Sequence, residues 1–393
     1  MQEMTLFQTL LIALIQIILA IMFVFVVVPL TIFAERKVIG FLQQRLGSTR
    51  VAGRLIGVTA VQNRLMWFMG WFPFAHYFRG LPGIVGDIAK LFFKEDVKLS
   101  KSDRAVYLIS PAIAMIAAIM TYSVICFYPG TLFTIPTFIP LIGGLPVAGA
   151  IANINVGLLL LLGFAGVGVY GIVLGAWASN SKYPLLGGLR SAAQMVSYEV
   201  PLTLSLCIPI VLAGSLNLAE MARGTAIDVS PWGIPSLFAG FFIYMTCGFA
   251  ETNRLPFDMP EAEAELIAGF HTEYSGMKFG LFYLAEYINM SVVSALASAF
   301  FLGGPWLLPF GLQGVAQNLL PAAFAQGWFG TWLLAPHWYF FVAKVFTLLF
   351  VFIWVRGSWP RYRYDQVMDV AWKYLIPLTI VNLVVAGFVR YHA

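Results

Sequence analysis

Charge is scarce in this chain of 393 residues: Asp, Glu, Lys and Arg together make up 10% of it. A soluble protein of this length does not have that composition. Cysteine is scarce too. Cys126, Cys207 and Cys247 lie singly within apolar runs, and with no CxxC pair neither an iron–sulfur cluster nor a zinc site is supported. The four histidines (His76, His271, His337, His392) are scattered and make no ligand spacing. No GxGxxG or GxxxxGK[ST] is present, so nucleotide binding within this chain is not supported. No internal repeat is visible, and neither are the inverted repeats of many transporters. The first apolar run lacks preceding basic residues and a small-residue cleavage site, which points to a retained helix rather than a signal peptide.

What remains is hydrophobic. Sixty per cent of residues are apolar and mean hydropathy is +0.85. The apolar runs are continuous rather than alternating, which favours helices over a β-barrel. The expectation is an all-α polytopic membrane protein, one integral domain over 1–393, with eight transmembrane helices and surface helices beside them. The spans read as about 6–33, 105–127, 156–177, 194–213, 234–253, 280–303, 339–356 and 373–390. Pro201 and Pro209 are expected to bend or break the fourth.

Loop charge predicts orientation. Residues 34–104 hold twelve Lys and Arg, and the seventh loop holds four. The loops at about 128–155 and 304–338 hold none. By the positive-inside rule the odd loops are cytoplasmic and both termini lie outside. The basic loop 34–104 contains GDIAKLFFKEDVK (86–98), with apolar residues at helical spacing and basic ones between, as in an amphipathic helix on a membrane surface. The aromatic segment 55–80 reads as interfacial.

The cytoplasmic loop 254–279 is acidic. Glu251, Asp258, Glu261, Glu263, Glu265, Glu273 and Glu286 put 7 of the 18 acids of the chain within 36 residues, with Arg254 and Lys278 as the nearby cations. Acids close to hydrocarbon are costly and mark ion paths, proton relays or substrate sites. Part of this has a plainer explanation. Asp258-Met259-Pro260-Glu261 fits a helix start, with Asp258 as N-cap and Glu261 at the capping-box position. Glu265 shares a helix face with Glu261, while Glu263 points nearly the opposite way.

Other charges also carry two readings. Glu199, near the cytoplasmic end of the fourth span, and Glu286, about one and a half turns into the sixth, either snorkel or join Glu251 in a carboxylate chain leading inward. Glu251 has Arg254 three residues on, so a local salt bridge is an alternative. Lys344 lies inside the seventh span and either snorkels outward or finds a partner within the bundle. Glu35-Arg36-Lys37 closes the first span, where positive-inside anchoring suffices for Lys37. Asp87 and Lys90 read as a surface pair, and Arg361, Arg363 and Asp365 as a solvated loop.

Several long stretches together resemble a known family. They are ETNRLPFDMPEAEAELIAGFHTEYSGMKFGLFYLAEYINM (251–290), GAWASNSKYPLLGGLRSAAQMVSYEV (175–200), AERKVIGFLQQR (34–45), GDIAKLFFKE (86–95) and WPRYRYDQVM (359–368). They resemble the quinone-site membrane subunits of proton-pumping NADH:quinone oxidoreductase, respiratory complex I, and the likeness spans nearly the whole chain. The resemblance implies an inner-membrane protein forming the membrane side of a quinone cavity, with quinone as substrate. It implies no cofactor of its own, with iron–sulfur clusters and FMN in partner subunits. Other membrane and peripheral subunits, quinone and membrane lipid are then the partners, and nucleic acid is not. By motif, the resemblance assigns Arg36, Arg45, Asp87, Arg254, Asp258, Glu261, Glu263, Lys344, Arg356 and Arg361 to the quinone cavity. It assigns Glu199, Glu251, Glu265 and Glu286 to proton coupling. One departure is local: after Arg45 the family usually continues Gly-Pro-Asn, whereas this chain reads GSTRVAG and then the aromatic segment. The alternatives are the membrane anchor of a related energy-converting hydrogenase and a stand-alone ion transporter.

Overall fold

The computed structural model describes residues 6–45, 47, 82–95, 102–135, 144–259, 268–319 and 328–392. Among them, eight helices are long and apolar enough to cross a membrane. Numbering helices in chain order, these are α1 (Leu6–Leu42), α3 (Arg104–Thr121), α4 (Gly157–Ala178), α5 (Lys182–Ala213), α7 (Ile234–Glu251), α8 (Gly276–Phe300), α11 (Trp338–Ser358) and α12 (Tyr364–His392). Shorter helices lie between them: α2 (Pro82–Phe93), α6 (Leu218–Arg223), α9 (Leu312–Leu319) and α10 (Trp328–Leu334).

Capping residues fix several ends. Asp103 caps α3 by accepting from the Ala105 backbone N–H, and Asn217 caps α6 through Ala219 and Glu220. Gly214 stops α5 in the left-handed conformation, its N–H donating to Ile210 at 2.7 Å.

Three helices run beyond the apolar stretches that announce them. α1 continues past residue 33 to Leu42, carrying Glu35, Arg36 and Lys37 on continuous helix, with Arg254 and Arg356 meeting Glu35 inside the bundle and Asp87 meeting Arg36 at its surface. α8 begins at Gly276 rather than near 280, so Glu286 sits ten residues inside it, about 15 Å along the axis instead of one and a half turns. α5 is not broken at Pro201 or Pro209; both rings are buried within one unbroken helix. Packed neighbours make a missing backbone donor tolerable at such positions. α2 starts and ends four to five residues before the expected 86–98. One feature is not helical: strands β1 (Thr131–Thr134) and β2 (Pro146–Ala148) pair antiparallel in the second loop, Phe133 opposite Val147.

α8 is the centre of the bundle. It is 61% buried over its apolar window, against 17% for α12 and 28% for α1, which turn apolar faces outward. Small residues allow close approach. Gly171 and Gly175 of α4 leave no room for a Cβ beside Ala114 and Ser110 of α3, and Ser110 donates to the Gly171 carbonyl at 2.8 Å. Tyr244 of α7 donates to the Val293 carbonyl of α8, and Tyr198 of α5 to Val367 of α12, at 2.7 Å.

A buried charge cluster as candidate functional site

The segment after α7 doubles back over the bundle because α5 holds it there. Gln194 Nε2 donates to the carbonyls of Ala250 and Phe257, at 2.8 and 2.7 Å. Asn253 takes a left-handed conformation (φ 50°), which asparagine tolerates better than most residues, and donates to Ser191 Oγ. This turn drives Arg254, only 4% exposed, back into the bundle.

Around Arg254 four elements converge. Its Nε lies 2.6 Å from Glu286 Oε1 of α8, and its Nη1 3.7 Å from Glu35 Oε2 of α1. Its guanidinium covers the Tyr287 ring at 4.2 Å and reaches the Tyr283 ring at 5.9 Å. Glu35 also accepts from the Tyr287 hydroxyl at 2.7 Å and pairs with Arg356 from the last turn of α11. The Tyr283 and Tyr287 hydroxyls share a hydrogen bond at 2.9 Å. Burial works against the charge of Arg254, but Glu286, Tyr287 and Glu35 outweigh it and hold its pKa well above the ordinary arginine value. Charge holds Arg254 better than alignment does: among the described residues its Nε–H and its Nη2 group have no well-directed acceptor. The Arg254–Glu251 salt bridge left open by the sequence does not form; Arg254 goes to Glu286 and Glu35 instead.

Flanking pairs extend the cluster. Asp258 meets Arg361 at 2.9 Å, and Arg36 of α1 meets Asp87 of α2, with Lys90 farther off at 3.9 Å. Arg361 is therefore not merely solvated loop. His271, in the same turn region, is buried, and burial pushes its pKa down to about 4 against the pull of Asp258.

Glu251 and Glu286 line one small cavity, and Glu199 lies within electrostatic reach of Glu251. Two residues assigned by motif are elsewhere. Arg45 is exposed and pairs with its neighbour Gln43. Lys344 sits in the second turn of α11, about 18 Å along the axis from Arg356, and donates to the carbonyls of Leu302, Gly304 and Trp306 beyond the end of α8. Glu261, Glu263 and Glu265 fall in 260–267, outside the described residues, and so does the helix expected to follow Asp258.

Sequence reasoning missed Glu35, Tyr283, Tyr287, Gln194 and Asn253 as site residues. Glu35 was legible as an acid at the end of an apolar run; the other four look like ordinary bundle residues until the turn at 252–258 is seen. Among the described residues no group of three or more His, Cys, Asp or Glu side chains is arranged to hold a metal ion.

The family model described as NADH dehydrogenase matches residues 15–387. The chain is 41% identical over 384 residues to an NADH-quinone oxidoreductase H subunit (numbered 2 in its name) of Koribacter versatilis, covering 96% of each. It is 40% identical over 378 residues to an H subunit (numbered 1) of the same kind from Geobacter sulfurreducens, covering 95% of this chain and 93% of that one. With the NADH-quinone oxidoreductase H subunit of Burkholderia vietnamiensis it shares 38% over 384 residues, 96% of this chain and 90% of that one. The chain belongs to the NADH dehydrogenase family, among the H subunits of NADH-quinone oxidoreductase.

Proposed function

We propose that this chain forms the membrane-side wall of a quinone cavity within an NADH-quinone oxidoreductase and links quinone reduction to proton translocation. The observation that carries the reading is the buried Arg254. Its guanidinium is locked in a charge-balanced cluster at the end of the bundle, yet keeps N–H groups without directed acceptors among the described residues. Such donors suit the carbonyl oxygens of a quinone head group, and charge-assisted hydrogen bonds are strong enough to orient one. Arg36–Asp87 and Asp258–Arg361 flank this place, and Arg356 supports Glu35. Glu261 and Glu263 belong to the same wall by motif. Our reading leaves out Arg45, which is exposed and pairs with Gln43, and Lys344, which lies about 18 Å along α11 from Arg356.

The electrons come from partners: iron–sulfur clusters and FMN belong to other subunits, and this chain's residues bind and orient quinone and move protons. Proton coupling runs through Glu286, Glu251 and Glu199, to which the motif adds Glu265. When quinone takes up electrons and protons beside Arg254, the charge balance of Glu35 and Glu286 changes, and that change is what the carboxylates pass on. The loop charges put this end of the bundle, with its basic segment 34–104 and acidic segment 254–279, on the cytoplasmic side, and the termini outside. The outward apolar faces of α1 and α12 meet membrane lipid or neighbouring subunits.

Glu251→Gln in the intact complex tests the coupling. In liposomes, proton uptake per NADH oxidised is expected to fall, while NADH oxidation with a soluble artificial acceptor stays at the wild-type rate. Unchanged proton uptake overturns the assignment. Purification in mild detergent tests the assembly: loss of an NADH-oxidising partner in favour of a nickel-iron one would return the hydrogenase-anchor reading.

A further inference from the structure

Two small cavities lie side by side in the half of the bundle nearest the 252–258 turn, each of about 30 Å³. The first is bordered by Glu286, Glu251, Thr252, Asn253 and His271. The second continues deeper, against Tyr244, Thr121, Val293 and Leu296. Three residues line both: Met195, Glu251 and Asn289. Along α8 the order is Glu286 in the first cavity, Asn289 in both, then Val292, Val293 and Leu296 in the second.

A cavity of this size holds roughly two water molecules where several polar groups meet it, as Glu251 and Asn289 do in both cavities among largely apolar neighbours. Asn289 has a particular relation to them. Asn289 is partly buried on α8, where an asparagine ordinarily bonds to a neighbouring helix. Among the described residues, the Asn289 side chain makes no hydrogen bond to a protein group, and neither does the Glu251 carboxylate across the cavities from it. Leaving an amide with two donors and an acceptor unmet is costly, so its partners are the contents of the two cavities.

We propose that Asn289 is a positioning residue for proton transfer, whose side-chain amide carries a hydrogen-bonded water thread past Glu251 from the first cavity into the second. This rests on the proton-coupling reading of Glu286, Glu251 and Glu199. The amide does not titrate. Its Oδ1 accepts from a water on one side and its Nδ2 donates to a water on the other, which fixes the direction of both. Glu251 takes a proton from a first-cavity water, with that water reprotonated from the Glu286 side. It then releases a proton to a second-cavity water and returns to the carboxylate, and that water hands one of its own protons on toward Glu199, so every water ends with the two it began with. Nothing else is gained or lost.

The experiment uses the intact complex in liposomes and compares Asn289→Leu, Asn289→Gln and Glu251→Gln. Leucine has nearly the shape of asparagine and none of its polarity. Because it removes an unmet amide from an apolar bundle, Asn289→Leu is expected to assemble normally and melt no lower than wild type. Its proton flux is expected to drop about tenfold, the equivalent of one hydrogen bond lost from the transfer step. NADH oxidation with a soluble artificial acceptor stays unchanged, and Asn289→Gln, which keeps both the amide acceptor and the amide donor, retains most of the wild-type flux. Wild-type flux in Asn289→Leu with a loss in Glu251→Gln overturns the inference and leaves the coupling reading standing. Wild-type flux in both removes the coupling reading itself. Equal losses of flux, melting temperature and acceptor rate in both Asn289 variants mean a packing role, and that also overturns it.

Discussion

Helix α11 carries two cations about 18 Å apart and buries them in opposite ways. Arg356, in the last turn, meets the carboxylate of Glu35, which also serves Arg254 and the Tyr287 hydroxyl. Lys344, in the second turn, meets the backbone carbonyls of Leu302, Gly304 and Trp306 and has no ion pair with a described carboxylate. Both arrangements satisfy a charge that hydrocarbon would penalise. They differ in what can change them. Carboxylates take up protons and respond to a neighbouring charge, so the Arg356 end couples Glu35, Arg254 and Glu286 to one another. Carbonyl dipoles do not titrate, and the Lys344 end has no carboxylate partner among the described residues to answer it, so it is fixed in that sense. A responsive end and a fixed end on one helix suit a protein whose chemistry happens at the first.

Removing a hub of the responsive end should have the largest effect. Arg254→Met leaves Glu35 and Glu286 buried with one shared cation fewer, and Arg254 is only 4% exposed. Breaking a buried pair by deleting one partner costs about 3–5 kcal/mol. The expected outcome is loss of this chain from the purified complex or a large fall in its melting temperature. A melting temperature equal to wild type would show that the cluster is not held by Arg254.

The second effect is on pH dependence, at the border of the same cluster. The unfolded imidazole of His271 takes a proton near pH 6.5, the folded one only near 4, chiefly because it is buried. Between those values the unfolded chain binds more protons, so stability is complete above about pH 6.5 and is lost as pH falls toward 4. The loss attributable to this group is about 3 kcal/mol, reached near the lower value. His271→Gln removes it. The difference in melting temperature between wild type and variant should shrink or reverse between pH 6.5 and pH 4, and a constant difference would rule out a neutral buried His271.

The eight spans and the identity of most cluster residues were legible in the sequence, since long apolar runs and isolated charges are local signals. What was not legible depended on partners far along the chain. The apolar run of α1 stops at 33, and only Arg356 and Arg254, more than two hundred residues away, explain why the helix continues through Glu35. The depth of Glu286 was misjudged because Gly276 and Lys278 look like loop, yet α8 starts there. Arg254 was assigned by motif, but its neighbours were not, because its direction is set by a left-handed Asn253 and by Gln194 gripping two carbonyls from another helix. Lys344 shows the opposite error: a charge in a matching stretch was grouped with the cavity although its helix carries it to the other end.

Lys344→Met sharpens the comparison from its fixed end. Methionine keeps most of the length and apolar stem of lysine but offers no donor, so three carbonyl oxygens just past the end of α8 lose the ammonium that gathers them. Carbonyls at a helix C-terminus lack intrahelical donors and favour a cation. Hydrogen bonds to a charged group contribute about 1.5–3 kcal/mol, but here part of the loss is offset because a buried ammonium no longer has to be desolvated. The net effect is expected near the lower figure, below that of Arg254→Met. Its character also differs. Melting should fall by a few degrees at every pH where the ammonium is charged, with quinone KM and proton uptake per NADH unchanged, because no titrating group among the described residues contacts the cage. A shift in quinone KM or in proton stoichiometry would mean that the two ends of α11 communicate after all, and that the fixed end is part of the site.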